Sequence, residues 1–162
     1  LAIVLYHIPQ IMGVALSVPL VQILVRLYPS VILGVKDSGG DLNHSKALSS
    51  ALPDLQIWVG NEPDLQTMAA LGSNGAISGV ANVMPELVSQ LITDGFDAAK
   101  QAQVVAFLKV LFQYPLMPAF KVLMAQHTGD DGWLRVRAPL VALDAEQSES
   151  SLSALPVGLR RS

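Results

Sequence analysis

The stretch Val31-Ile-Leu-Gly-Val-Lys36-Asp-Ser-Gly-Gly-Asp41 decides how this chain is read. An apolar, β-branched run ends on a single lysine, and a tight polar turn follows at once. A run of that length, bounded by turn residues, reads as a buried strand. Lysine is seldom fully buried, and an amine at the mouth of a buried strand loses solvation, which disfavours its charged form. A neutral amine is a nucleophile able to form a Schiff base with a ketone. The plain alternative is a strand-end lysine whose ammonium reaches water along its aliphatic stem, and the spacing alone favours it.

Leu1–His7, Leu55–Val59 and Gly75–Ser78 read as further strands beside Val31–Lys36. They lack apolar/polar alternation, as expected of parallel strands covered on both faces. Helical spacing fills the intervals. Ser17 is a candidate N-cap ahead of Pro19, Val21, Leu24, Val25 and Leu27, Asp41 can cap a helix through Leu48 to Leu52, and Pro63-Asp64 opens another ending at Gly72. Strand and helix repeated in this order predict an α/β fold with a parallel sheet. After Asn82 the strands stop. Pro85–Ile92, Ala98–Phe112 and Ala119–His127 read as helices, Trp133–Leu143 as a short helix or loop, and the Ser- and Glu-rich segment from Asp144 as a mobile tail.

A closed (β/α)8 barrel takes about 250 residues, and the chain has 162. Four βα units followed by helices therefore predict the C-terminal half of such a barrel, strands five to eight, in a chain that is a fragment. The expected division is residues 1–96 as the half barrel, 97–143 as a C-terminal helical region and 144–162 as a flexible tail.

Composition removes several function classes. The net charge is −3 and no cluster of Lys and Arg occurs, which argues against nucleic acid. There is no cysteine, hence no disulfide framework or thiolate metal site, and a reducing cytoplasm fits. No charged segment precedes the first strand, so a signal peptide is not expected, and the chain is read as starting inside a larger core. The stretch before Arg26 carries no full charge, but His7, Pro9, Gln10, Gly13, Pro19 and Gln22 interrupt it, so no membrane span is expected. His7, His44 and His127 lie in separate elements with no carboxylate at ligand spacing and read as structural or solvated, giving no metal site. No Ser-His-Asp order or Gly-x-Ser-x-Gly elbow is present, and Gly72, Gly75 and Gly79 match no dinucleotide or phosphate fingerprint.

In parallel α/β folds ligands bind at the C-terminal ends of the strands. Those ends carry Tyr6 and His7, then Lys36, Asp37 and Ser38, then Gly60, Asn61 and Glu62, then Ser78 and Gly79. A lysine and a tyrosine ending adjacent strands can sit within a few ångströms, where the phenol could move protons around a carbinolamine or enamine. Tyr6 alone reads more readily as a core aromatic with its hydroxyl satisfied.

Four ordered motifs, Tyr6-His-Ile-Pro-Gln-Ile-Met-Gly13, Gly34-Val-Lys-Asp-Ser-Gly-Gly-Asp41, Gly60-Asn-Glu62 and Gly75-Ala-Ile-Ser-Gly-Val-Ala-Asn82, resemble the dihydrodipicolinate synthase / N-acetylneuraminate lyase family. Phe120-Lys-Val-Leu and Arg137-Ala-Pro-Leu140 look like its C-terminal signature. Members are class I aldolases on a (β/α)8 barrel with a helical C-terminal region, commonly tetramers, so a homo-oligomer (tetramer or dimer) is expected of the full-length protein. The resemblance implies that Lys36 is the Schiff-base lysine for pyruvate or another 2-oxo acid and that Tyr6 shuttles protons. It implies that Ser38 contacts substrate hydroxyls, that Gly60 and Glu62 meet the second, aldehyde substrate, and that Ser78 and Gly79 lie beside the 2-oxo acid. No metal or organic cofactor is implied, since the covalent link is the lysine imine. Synthases of the lysine pathway usually carry an arginine two residues after the motif proline, for a substrate carboxylate, and Ile11 stands there. An aliphatic side chain removes that charge-assisted contact, which favours a sugar-acid or other 2-oxo-acid lyase over 4-hydroxy-tetrahydrodipicolinate synthase. A non-catalytic, truncated 2-oxo-acid-binding member is the other alternative; the intact Tyr6 and Lys36 argue against it and the truncated start argues for it. His7 stands where many members have Asn. The Thr/Ser pair that binds the pyruvate carboxylate would belong to strands one to four.

Overall fold

The computed structural model describes residues 1–155. Two compact units are present: Leu1–Ser78 with Glu86–Ala98, and Gly79–Pro85 with residues 99–155.

The first unit is built on a parallel sheet of four strands in the order β1 (Ile3–His7), β2 (Ile32–Asp37), β3 (Gln56–Val59) and β4 (Gly75–Ala76). Each crossover carries helix: α1 (Pro9–Met12) and α2 (Val18–Leu27), then α3 (Leu42–Ala51), then α4 (Leu65–Ala70), which follows a 3-10 turn at Glu62–Asp64. The helix starts follow the capping logic of the sequence. Ser17 accepts from Leu20 N and Asp41 from Asn43 N, each satisfying an orphan donor of the first turn. α1 was not anticipated, since its four residues are too few for a period to register. α5 (Pro85–Thr93) closes this part of the chain, and Gln66 of α4 donates to Gly95 O just beyond it.

The two faces of the sheet differ, contrary to the expectation that both are covered. Val35, Ile57 and Val59 are buried, as are Val21 of α2, Leu48 of α3 and Met68 of α4. On the alternate positions Val4 and Tyr6 are exposed, and Lys36 and Trp58 are half-buried. Residue type alone reports that a strand is apolar, and it does not report which face the chain itself covers.

In the second unit α6 (Ala98–Leu111) and α7 (Leu116–Thr128) supply the core. Val104, Phe107, Leu108 and Leu111 recur at helical spacing and are buried, and Phe107 meets Phe120 with ring centroids 6.2 Å apart. α7 begins three residues earlier than Ala119, because Pro118 sits in its first turn, where no backbone donor is missed. Between Asp131 and Leu134 the chain makes a 3-10 turn. The segment from Asp144, expected to be mobile, instead forms α8 (Ala145–Ser153), and Ser151 and Leu155 are fully buried. Its start is a reciprocal capping box between Asp144 and Gln147, a signal that the Ser-rich composition masks. The remainder of the expected tail lies outside the described residues. Among the described residues no single helix is long and apolar enough to cross a membrane.

Candidate active site

Register brings Tyr6 and Lys36 together. Tyr6 pairs with Lys36 across β1 and β2, and Lys36 pairs with Trp58 on β3, so their side chains project from one face. Lys36 Nζ stands 4.1 Å from the centroid of the Tyr6 ring, within cation–π range. Tyr6 is 48% exposed and its phenol opens to solvent. Burial alone would raise the phenol's pKa. The Lys36 and Ser38 donor groups beside the phenol, together with the Lys36 charge, outweigh burial and hold its pKa below the ordinary tyrosine value, against an opposing push from the Glu62 carboxylate.

The β2–α3 loop brings Ser38 to the same place. Its backbone N–H donates to His7 O (2.9 Å) and its carbonyl accepts from the Gln10 amide (2.7 Å). Ser38 is 9% exposed, and its buried hydroxyl has no hydrogen-bond partner among the described residues. Gly60 explains how the group packs. A side chain there would coincide with Ser38 Oγ and stand 2.9 Å from Lys36 Cε, so glycine leaves the space that the serine and the lysine stem occupy. Glu62 is buried in the following 3-10 turn and accepts from Ser78 Oγ (2.6 Å), a charge-assisted bond that ties the ends of β3 and β4. Six of the seven sequence-derived residues, Tyr6, Lys36, Ser38, Gly60, Glu62 and Ser78, thus belong to one connected group. Gly79 begins the second unit, where a Cβ would press on the Phe120 ring at 3.2 Å. A separate cavity of about 470 Å³ in that unit, lined by residues such as Pro118, Val122, Leu134 and Leu152, includes none of the six.

On the opposite face lies a polar network that sequence reasoning missed. Asp37 Oδ2 receives Ser45 Oγ and faces His44 Nδ1, each at 2.8 Å, and Oδ1 receives Gly39 N (2.9 Å). His44 Nε2 lies 2.8 Å from Leu16 O, Leu16 N donates to His7 Nδ1 (3.1 Å), and the two imidazoles stack at 4.1 Å. Burial first, then the neighbouring His44, holds the His7 pKa below the ordinary histidine value, although Asp37 and Asp41 oppose this. The reading that no carboxylate stands near the histidines is therefore corrected: folding inserts Asp37 beside both. The potential ligand atoms of His7, Asp37 and His44 lie within 4.8 Å of one another. Both Asp37 oxygens, both His44 nitrogens and His7 Nδ1 are already engaged in the contacts above. The one sequence signal available was position, a strand-end acid seven residues before a histidine in the first turn of the next helix.

The family model of the dihydrodipicolinate synthetase family matches residues 1–156, nearly the whole chain. The chain belongs to the dihydrodipicolinate synthetase family. Among relatives, an uncharacterized DapA-like lyase of Chloroflexus aurantiacus is 31% identical over 150 residues, covering 90% of this chain and 50% of that protein. The crystal structure of dihydrodipicolinate synthase from Agrobacterium tumefaciens superposes with a TM-score of 0.83 at 40% identity, over 92% of this chain and 51% of that one. A variant of the 2-keto-3-deoxygluconate aldolase of Sulfolobus solfataricus matches with a TM-score of 0.78 at 17% identity, covering 94% of this chain and 52% of that one, which shows a shared fold. The chain spans about half the length of these family proteins. Those relatives are named as lyases, synthases and aldolases.

Proposed function

We propose that the protein carrying this chain is a Schiff-base-forming class I aldolase or lyase acting on pyruvate or a related 2-oxo acid. The observation that carries this reading is Lys36 Nζ standing 4.1 Å over the Tyr6 ring, with the buried Ser38 hydroxyl beside them. In this account the chain forms strands five to eight of a (β/α)8 barrel. Four further strands would cover the face on which Val4 and Tyr6 are exposed and would desolvate the amine. A homo-oligomeric, cytoplasmic protein fits the family.

The steps follow from the groups present. The Lys36 amine adds to the C2 carbonyl, and loss of water from the carbinolamine gives an iminium. That cation withdraws electrons as the C3–C4 bond breaks, and the bonding pair becomes the enamine. Tyr6, whose phenol ionises more readily than an ordinary tyrosine, takes the proton from the C4 hydroxyl as the aldehyde forms. Protonation at C3 and hydrolysis then release the 2-oxo acid and restore the amine. Ser38 and the Ser78–Glu62 pair would hold substrate hydroxyls. The exposed aliphatic Ile11 supports a sugar-acid or other 2-oxo-acid lyase over a synthase whose aldehyde bears a carboxylate.

The test is turnover by the full gene product. Release of pyruvate from 2-keto-3-deoxy sugar acids, lost in Lys36→Ala, is expected. Condensation of pyruvate only with a carboxylate-bearing aldehyde would contradict the narrower reading, and full activity in Lys36→Ala would contradict the whole.

A further inference from the structure

Ser38 stands beside Tyr6 and the Lys36 stem with a buried hydroxyl that has no hydrogen-bond partner among the described residues. With no bond of its own, that hydroxyl points where its rotamer and its backbone direct it. Both main-chain groups of Ser38 are held by the segment that leaves β1. Its N–H donates to His7 O (2.9 Å), and its carbonyl accepts from Gln10 Nε2 (2.7 Å). The segment is tied in turn. Leu16 N donates to His7 Nδ1 (3.1 Å), which closes the chain from His7 to Leu16 into a loop with Gln10 inside it. Leu16 O can only accept, so His44 Nε2 of α3, 2.8 Å away, donates to it. Two imidazoles stacked at 4.1 Å thus grip the N–H and the C=O of a single residue. Asp37, buried at the end of β2, faces His44 Nδ1 at 2.8 Å and fixes the direction of that ring.

We propose that Gln10, His7 and His44 are positioning residues for Ser38: the histidine clamp on Leu16 holds the β1–α2 segment, and Gln10 within it aims the Ser38 hydroxyl at the substrate. The inference rests on the Schiff-base reading of Lys36 and on Ser38 holding a substrate hydroxyl. Pyruvate carries no hydroxyl, so a displaced Ser38 leaves its addition to Lys36 intact. A hydroxylated 2-oxo acid instead loses a hydrogen bond that it makes in the ground state and the transition state alike. Such a loss raises KM and leaves kcat in place, by roughly tenfold for one hydrogen bond. Tyr6 keeps Lys36, the neighbour that lowers its pKa most, so its part in the chemistry changes little. A general loosening of the fold would lower adduct formation and cleavage together. Gln10 is exposed whereas His7 is buried, so variants of the two disturb the fold to different degrees.

The experiment compares wild type, Q10M, H7L and H7N of the full gene product in two assays: cyanoborohydride trapping of pyruvate at Lys36, and cleavage of a 2-keto-3-deoxy sugar acid. Q10M keeps the length of the side chain and removes its donor. H7N keeps an acceptor close to the Nδ1 position, and H7L removes it. Q10M and H7L are expected to raise KM for the sugar acid roughly tenfold, with kcat and pyruvate trapping little changed, while H7N keeps the wild-type KM. Amide hydrogen exchange supplies a readout independent of turnover. The Leu16 amide is expected to exchange slowly in wild type and H7N and faster in H7L, and the Ser38 amide faster in both H7L and Q10M. An unchanged KM in Q10M, trapping that falls in step with cleavage, or H7N behaving as H7L would overturn the proposal. If H7L fails to fold, Q10M and H7N decide it. If wild type traps no pyruvate at Lys36 or leaves the sugar acid intact, the catalytic reading fails, and exchange alone decides the positioning: equal exchange in wild type and variants overturns it.

Discussion

Gly60→Ala is the sharpest probe of how the site is packed. Gly60 does not have a positive φ, so alanine meets no backbone strain there. Its Cβ would coincide with Ser38 Oγ and stand 2.9 Å from Lys36 Cε. Carbon atoms in contact prefer about 3.5–4.0 Å, so the lysine stem must retreat by roughly 0.6–1 Å, and Ser38 must change rotamer. The stem is flexible, so the stability cost sits near the low end of overpacking, about 1 kcal/mol. A displacement of about 1 Å at a reacting group can cost on the order of 10²-fold in rate. The expected signature is therefore a large loss of rate with a small loss of stability, read by pyruvate adduct kinetics alongside thermal unfolding monitored by circular dichroism. S38A/G60A, which deletes the overlapping hydroxyl, is expected to recover the stability but not the rate. A G60A protein that forms adduct at the wild-type rate would refute the claim that Gly60 makes room for the amine. A rate loss that merely tracks unfolding would refute it equally.

Three further outcomes follow from particular contacts. Tyr6→Phe keeps the ring beneath Lys36 but removes the proton carrier, so carbon–carbon cleavage is expected to fall by roughly 10²–10⁴-fold while trapped adduct still forms; wild-type cleavage by the variant would remove Tyr6 from the mechanism. His7 holds its proton less tightly folded than unfolded, where its pKa is about 6.5. As pH drops below about 6.5 the unfolded chain gains a proton that the native His7 declines, so stability falls by up to about 1.4 kcal/mol per pH unit until the lowered native value is reached. His7→Asn is expected to flatten that slope in urea unfolding at pH 7.5 and 5.5, and an unchanged slope would contradict the assignment. Asp144→Ala removes the capping box of α8 and is expected to cost about 1 kcal/mol, seen as lost amide protection in the first turns of α8, with adduct formation at Lys36 unchanged.

The grouping of Tyr6 with Lys36 was legible because its information is local. A strand that ends in lysine followed by Asp-Ser-Gly-Gly fixes where the sheet stops, and parallel neighbours place Tyr6 beside that lysine once strand order is known. Helix starts were legible at Ser17 and Asp41 for the same reason, since a cap is decided within three residues. The Asp37–His44–Leu16–His7 circuit was not, because its members come from β1, the loop before α2, β2 and α3, and only folding makes them neighbours. α8 escaped notice because its interior is serine-rich, so the cap at Asp144 and Gln147 had no apolar period behind it. The exposed face of the sheet escaped as well, since the apolar character of Val4 and Tyr6 does not reveal whether anything in the same chain lies over them.

The measurement that bears most directly on the account is borohydride reduction of the full gene product in the presence of pyruvate, followed by peptide mass spectrometry. A single reduced pyruvate adduct on Lys36, absent from Lys36→Ala, is the predicted result. No adduct, or one carried by a different lysine and persisting in Lys36→Ala, would contradict it.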